Sequence, residues 1–200
     1  GTVVFIIVVC ALLKFKVLVQ LQSLLSITSI LKILYHMKLY LLRHAEAQST
    51  YPDEDRILSD RGRNTVIALA NLLKATDVIT IDEIRHSTLV RTGETAQIMS
   101  TEMNLNIPLN EIKGLAPSDN VQTLVDQLQE EEKNIMLVGH LPQLAILASS
   151  LVTSEECHIL FNLNTCGLIA FERYEGYSID EDDNPLWVVQ WMLDSQLYAG

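Results

Sequence analysis

Two histidines follow apolar segments that have the length and composition of buried strands. Arg43 and His44 come where the run Lys38–Leu42 ends, and His140 follows the run Ile135–Gly139. In an open α/β sheet, ligands bind beyond the carboxyl ends of the strands, so both imidazoles are expected to face one pocket. Because imidazole changes its charge near neutral pH, such a pair beside an arginine is typical of a catalytic site.

A second arginine lies in the first turn of a predicted helix. The helix follows a short strand predicted at Ile81–Arg85, and Ser87 or Thr88 is its expected N-cap. At Arg91 a cation opposes the positive end of the helix dipole, unless an anion is held between the guanidinium and the free backbone amides. The alternative is an arginine that is solvated or paired with Glu94.

Four segments, in order, resemble the motifs of the histidine phosphatase superfamily, specifically its small SixA-type phosphohistidine phosphatases. They are Leu41–Ala47, Leu58–Gly62, Ser87–Ala96 and Val138–Pro142. The resemblance spans residues 37 to about 195 and depends on the order and spacing of the four segments together. It implies an α/β fold of the phosphoglycerate mutase-like kind, with three layers (α/β/α) and a mostly parallel central sheet. The alternation of strand and helix patterns along the chain favours the same architecture.

The resemblance also implies roles for the site residues. His44 would be phosphorylated during turnover, while Arg43, Arg91 and His140 would clamp the phosphoryl group. Fixed positive charge around the phosphoryl oxygens is the main requirement of such a transfer, and two arginines supply it, so neither a metal nor another cofactor is expected. Neutral imidazole is a good nucleophile near pH 7, so His44 must enter the reaction without its second proton.

The chain departs from the family pattern at two positions. Ala45 stands where the family usually has glycine, which is tolerable if the backbone there does not need a positive φ. Thr88 stands where the family commonly has proline, which helps a first helical turn but is not required. Neither change removes a charge or a nucleophile.

A proton donor for the leaving group is harder to identify. Glu46, two residues beyond the proposed nucleophile, is the first candidate. Most acidic side chains in loops are simply solvated, so the remaining candidates are weaker; they are Asp53, Glu54, Asp55, Glu111 and Asp119. The other histidines are also weaker candidates for the site; they are His36, His86 and His158.

Composition favours one enzyme domain at residues 37–200, preceded by a hydrophobic extension at residues 1–36. The 200 residues are 48% hydrophobic, enough for a sizeable core. The extension is neither a clean membrane span nor a clean signal, so it is interpreted as an upstream segment, with an anchor as the alternative. Met37 is the expected natural start. Contact with a membrane is expected only if the extension is a genuine anchor.

Charge and cysteine content limit the partners and the compartment. The net charge is −11, and all 25 acidic residues follow position 36, which argues against nucleic-acid binding. A phosphorylated protein with basic residues near its phosphorylated site, such as a histidine phosphotransfer domain, or a small phosphorylated substrate is the expected partner. Cys10, Cys157 and Cys166 have no CxxC spacing, which argues against a disulfide framework or zinc site and favours the cytoplasm.

Periodic apolar residues predict the elements around the site. Two helical stripes are expected to be core, Val66–Leu69–Ala70–Leu73 and Val121–Leu124–Val125–Leu128. A further helix is predicted at Leu144–Leu151, with later strands at Ile159–Phe161, Gly167–Phe171 and Trp187–Met192. The acidic stretch Glu175–Asn184 is expected to be a solvated turn.

The sequence therefore predicts a metal-independent phosphatase that passes a phosphoryl group through His44 to water, with phosphohistidine in a protein as substrate. A small-molecule phosphomonoesterase would use the same residues but needs a better-defined acid and a lid over the substrate. A phosphoglycerate-type mutase has a similar core, but this chain has little length for added substrate loops. A non-catalytic phosphoprotein-binding module would bind phosphate without forming a phosphoenzyme.

Overall fold

The structure, a computed structural model, describes residues 36–153, 159–178 and 185–198. The interpretation of the segment before His36 lies outside these residues, as do the candidates His158, Cys10 and Cys157. Within the described ranges, no helix combines the length and apolar character needed to cross a lipid bilayer.

One sheet and four α-helices make up the regular structure of the described residues. The strands are β1 (Met37–Arg43), β2 (Glu83–His86), β3 (Leu109–Glu111), β4 (Ile135–Gly139), β5 (Leu168–Ser178) and β6 (Pro185–Leu193). The helices are α1 (Asp60–Thr76), α2 (Val90–Glu102), α3 (Gln122–Glu130) and α4 (Gln143–Thr153). Two short 3-10 turns, Asp53–Asp55 and Ser195–Leu197, lie in loops.

The sheet has the order β3-β2-β4-β1-β5-β6. The first four strands are parallel to one another, whereas β5 pairs antiparallel with β1 and β6 pairs antiparallel with β5. The expectation of a mostly parallel sheet is therefore confirmed. Because β1 and β4 are direct neighbours in parallel register, their carboxyl ends lie side by side although they are far apart in the sequence.

Helices cover both faces of the sheet, which confirms the predicted three layers. Tyr40 and Leu42 of β1 pack on the face that α1 and α2 cover, whereas Leu39 and Leu41 pack on the face that α3 and α4 cover. A strand with two buried faces needs a continuous apolar run rather than an alternating one, which explains the composition of β1. The two predicted helical stripes lie in α1 and at α3, and all but the partly buried Val125 are fully buried.

Three predictions about the later elements are wrong or incomplete. Ile159–Phe161 is not a strand; Ile159 and Leu160 are exposed, and the Leu160 amide bonds the Ser149 hydroxyl rather than a neighbouring strand. Residues 175–178 belong to β5 rather than to a turn, since backbone pairing with β6 does not depend on apolar side chains. Residues 179–184 lie outside the described residues, and β3, only three residues long, was not predicted.

Candidate active site

The carboxyl ends of β1 and β4 bring the two strand-end histidines together. Arg43 pairs with Gly139 across the strands, and the His44 amide donates to the Gly139 carbonyl at 3.0 Å. The His44 and His140 rings then lie with their centroids 4.9 Å apart and tilted by 55°. Parallel pairing of two strands that each end in histidine therefore accounts for the proximity expected from the sequence.

A backbone contact fixes the tautomer of His44. Its Nδ1 lies 2.7 Å from the carbonyl oxygen of Ala45. A carbonyl can only accept, so Nδ1 carries the proton and donates it, and Nε2 keeps its lone pair. Burial lowers the pKa of His44 to about 4. The hydrogen bond with the Ala45 carbonyl opposes this shift, and the charges of Arg91 and Arg43 add to it. The imidazole is therefore neutral at pH 7 and has the form that a nucleophile needs.

The alanine after this histidine fits without strain. Ala45 is buried, and the non-glycine residues with positive φ in the described chain are Asp77, Asn104 and Cys166, so Ala45 does not need glycine. Its amide donates to the Thr95 hydroxyl at 3.1 Å, and this hydroxyl in turn donates to the Arg91 carbonyl at 2.7 Å. Helix α2 is thus joined to the loop that carries His44.

Arg43 is oriented by the loop that enters β5. Its Nη1 donates to the Leu163 carbonyl at 2.7 Å, and its backbone bonds Cys166 and Gly167. Burial lowers the pKa of Arg43, yet a guanidinium remains charged at neutral pH. Nε is buried without a protein partner. One nitrogen therefore holds the side chain in place while another remains to bind an anion.

Arg91 is almost fully buried and contacts a loop residue. Its Nη1 donates to the Asp53 carbonyl at 2.8 Å, and its Nη2 lies 3.1 Å from the Asp53 carboxylate. Glu94 instead accepts from Arg63 at 2.5 Å and from the Leu58 amide at 2.6 Å. The alternative that Arg91 is solvated or paired with Glu94 is therefore wrong.

The start of α2 also differs from the expected one. The helix begins at Val90, and its N-cap is Leu89, whose side chain makes no cap hydrogen bond. Ser87 does not cap it, because its amide continues the sheet by donating to the Val138 carbonyl at 3.0 Å. Arg91 still lies in the first turn, and the helix forms without proline there, as expected.

His140 lies deep in the site. It is 1% exposed, and neither ring nitrogen has a protein partner. Its backbone carbonyl accepts from the Leu144 amide at 2.9 Å, so the ring itself does not cap α4. Burial, followed by the charges of His44 and Arg91, lowers the pKa of His140 to about 3. A neutral imidazole of this kind still has one N–H that can be donated to an oxyanion.

Several buried polar atoms near this sheet edge lack protein partners, although buried polar groups are normally hydrogen-bonded. They are Nε of Arg43, Nε of Arg91, both ring nitrogens of His140 and the hydroxyl of Ser87. Most can donate, which suits an oxyanion. The sequence predicts Ser87 only as an N-cap. Its place directly after β2, beside the end of β4, assigns it instead to this edge of the sheet.

The acidic candidates have different environments. The Glu46 carboxylate accepts from the Ser59 hydroxyl at 2.7 Å, lies 3.8 Å from Arg61, and lines a separate cavity of about 280 Å³. Asp119 accepts from the Gly114 and Ala116 amides and so orders its own loop. The remaining candidates other than Asp53 are exposed; they are Glu54, Asp55 and Glu111. Asp53 contacts Arg91 directly. In the part of the chain that the structure describes, no group of three or more His, Cys, Asp or Glu side chains is placed to hold a metal ion.

Comparison with known proteins supports the reading of these motifs. Residues 39–120, which include Arg43, His44 and Arg91, match the sequence model of the histidine phosphatase superfamily, branch 1. The predicted resemblance to this superfamily is confirmed over these residues. The prediction of a phosphatase, and so of a hydrolase, is confirmed at this level. A search among curated proteins gave no match.

Solved structures of several phosphatases share the fold. The protein histidine phosphatase SixA in complex with tungstate is 21% identical, with a TM-score of 0.67 over 80% of this chain and 99% of that one. A protein from Agrobacterium tumefaciens described as a SixA phosphohistidine phosphatase is 24% identical, with a TM-score of 0.62 over 78% and 97%. A mycobacterial glucosyl-3-phosphoglycerate phosphatase is 15% identical, with a TM-score of 0.58 over 78% and 97%. At these identities the likeness establishes the phosphoglycerate mutase-like fold alone. The substrates named are those of the neighbouring proteins.

Proposed function

We propose that the chain is a histidine phosphatase that acts in the cytoplasm, without a metal, on phosphohistidine in a protein. The phosphoryl group passes first to Nε2 of His44 and then to water. The observation that carries the proposal is the fixed tautomer of His44. With Nδ1 donating to the Ala45 carbonyl and the pKa held near 4, Nε2 keeps a free lone pair at neutral pH near the positive charges of Arg91 and Arg43.

The neighbouring residues have complementary tasks in this proposal. Arg43 and Arg91 neutralise the charge of the phosphoryl oxygens, which is the main contribution a protein makes to phosphoryl transfer. His140, whose ring nitrogens have no protein partner, donates a hydrogen bond to a third oxygen. In the first step the P–Nε2 bond forms as the bond to the leaving group breaks. In the second, water attacks phosphorus and the P–Nε2 bond breaks, which regenerates neutral His44.

The preference for phosphohistidine follows from the environment of the acidic residues. Glu46, the first candidate for a proton donor, is bonded to Ser59 and lies near Arg61, both at the start of α1. An alkoxide is a poor leaving group without a positioned acid, which typically contributes about 10²- to 10⁴-fold. An imidazole leaving group can already carry its proton near neutral pH. The likeness to SixA structures agrees with this choice of substrate.

A small-molecule phosphatase is the second candidate. One structural neighbour acts on glucosyl-3-phosphoglycerate, and the carboxylate of Glu46 lines a cavity with Arg61, Thr165 and Ser195 that is large enough for a small polar group. The ratio of kcat/KM for a phosphohistidine protein to that for a simple phosphoester, at one pH, separates the two. We expect a ratio well above one. A ratio below one, with a strong loss in Glu46→Gln, would favour the small-molecule phosphatase.

Rapid-quench labelling tests the nucleophile directly. Phosphorylated substrate carrying ³²P should give an acid-labile label on the wild-type chain and none on His44→Ala. His86→Ala is a matched control, because His86 also lies at the carboxyl end of a parallel strand and its Nδ1 also contacts the carbonyl of the next residue, at 2.8 Å. This variant should keep the label. Phosphate binding without any label in the wild type would instead identify a non-catalytic phosphoprotein-binding module.

A further inference from the structure

A loop carboxylate is hydrogen-bonded to Arg91, the arginine to which the proposed mechanism assigns the phosphoryl group. Asp53 begins the 3-10 turn Asp53–Asp55, and its carboxylate and carbonyl oxygens both bond Arg91. The guanidinium side chain is only 5% exposed, whereas that of Asp53 is 61% exposed. A solvent-facing anion is therefore paired with a buried cation at the edge of the site.

The contact uses both terminal nitrogens of the guanidinium. Nη1 donates to the Asp53 carbonyl at 2.8 Å, and Nη2 donates to its carboxylate at 3.1 Å. Arginine binds phosphate best with two parallel N–H donors. The remaining nitrogen, Nε, is buried. Two-point binding of a phosphoryl group through the terminal nitrogens therefore requires that the Asp53 oxygens give up at least part of their contact.

The Asp53 carboxylate also pairs with a second cation, Arg56, which can still bind it when the contact with Arg91 is broken. Arg56 donates to the other carboxylate oxygen at 3.0 Å and is itself held by the Gln48 carbonyl at 2.6 Å. The hydrogen bond from Arg56, followed by the charge of Arg91, lowers the pKa of Asp53, so its negative charge is present at neutral pH. Asp53 can thus move between two arginines without becoming an unpaired charge.

We propose that Asp53 competes with the phosphoryl group for Arg91 and thereby weakens the hold of the site on inorganic phosphate, the product. The inference rests on the proposed function only in assigning the phosphoryl group to Arg91. Substrate gains further contacts from its attached protein, so it displaces the carboxylate more readily than free phosphate does. After hydrolysis the carboxylate returns to Arg91 and favours release of the product.

Calorimetric titration of the full chain with inorganic phosphate tests this competition. In Asp53→Asn the amide oxygen can still accept from Nη2, and the backbone carbonyl still accepts from Nη1, so the loop keeps its attachment while the charge is lost. Removal of one negative charge this close to a bound dianion should tighten phosphate binding by about tenfold at low salt. Asp55→Asn makes the same charge change in the same turn, at an exposed residue, and should shift the affinity by less than about twofold.

The outcomes separate competition from a positioning role. Tighter binding in Asp53→Asn, with no difference in affinity between Arg91→Gln and the double variant Asp53→Asn/Arg91→Gln, supports competition at Arg91. Weaker binding in Asp53→Asn would mean that the carboxylate positions Arg91 for phosphate, and equal effects of Asp53→Asn and Asp55→Asn would mean a general charge effect; either result overturns the proposal. Because the titration does not require turnover, a missing phosphoenzyme would refute the proposed function without affecting this result.

Discussion

Acidification should destabilise the folded chain through the two histidines of the site. His44 and His140 are held neutral mainly by burial, with pKa values of about 4 and about 3. In the unfolded chain each imidazole binds its proton near pH 6.5. Between these values the unfolded chain binds more protons than the folded chain. The free energy of unfolding therefore falls as the pH falls below about 6.5.

The size of the effect follows from the two pKa values. Each histidine contributes a slope approaching about 1.4 kcal/mol per pH unit in this window. From pH 6.5 to pH 5 this gives on the order of 2 kcal/mol for each imidazole. The two rings lie 4.9 Å apart, so protonation of one disfavours protonation of the other.

Urea unfolding of the wild type and of His140→Asn at pH 6.5 and pH 5 measures this contribution. The wild type should lose about 1–2 kcal/mol more stability than the variant over that interval, since the carboxylates titrate alike in both. An NMR titration of the imidazole carbons in the wild type provides a second measurement that does not depend on the variant folding. Equal losses in the two chains, with either ring titrating near pH 6.5, would refute the argument that the fold keeps them neutral.

Further predictions concern the metal, the packing and the domain boundary. Dialysis against EDTA should leave activity unchanged because the arginines supply the positive charge; activity lost and then restored by Mg²⁺ or Zn²⁺ would contradict this. Gly62→Ala should lower the free energy of unfolding by about 1–3 kcal/mol, since a Cβ there would lie 2.1 Å from the Glu46 carbonyl oxygen. Gly93 lies inside α2, and a Cβ there would be 3.4 Å from the ring of His86, an ordinary contact. Gly93→Ala should therefore leave the free energy of unfolding, measured with urea, unchanged or raise it by up to about 1 kcal/mol. A chain that begins at Met37 should be folded and as active as the full chain, and its aggregation would show that the preceding residues belong to the domain.

The sequence was sufficient for the strands that carry the site. β1 and β4 are buried on both faces, so their residues form continuous apolar runs that end where Arg43 and His140 begin the polar edge. The apolar stripes of α1 and α3 can be recognised from the sequence equally well, because one face of each helix packs on the sheet. Where an element is defined by burial, its pattern is local and can be recognised without the structure.

The contacts that complete the site are not local. Arg43 is oriented by the Leu163 carbonyl, 120 residues away in the sequence, and a carbonyl leaves no residue-specific signal. Asp53, Glu54 and Asp55 are chemically similar neighbours, yet only the first contacts Arg91 among the described contacts. The N-cap of α2 differs from the expected one for the same reason, since the Ser87 amide donates to a strand carbonyl rather than to the helix.

Burial and positive charge affect the histidines in different ways once substrate binds. Burial is the largest cause of the low pKa of His44, and the charges of Arg91 and Arg43 are smaller causes. A bound phosphoryl dianion offsets the arginine charges but does not return the ring to water. The pKa of His44 should therefore rise only part of the way towards 6.5, and Nε2 stays unprotonated near pH 7 while phosphorus approaches. The arginines can thus bind the phosphoryl group strongly, because neutralisation of their charge does not lead to protonation of Nε2 of His44.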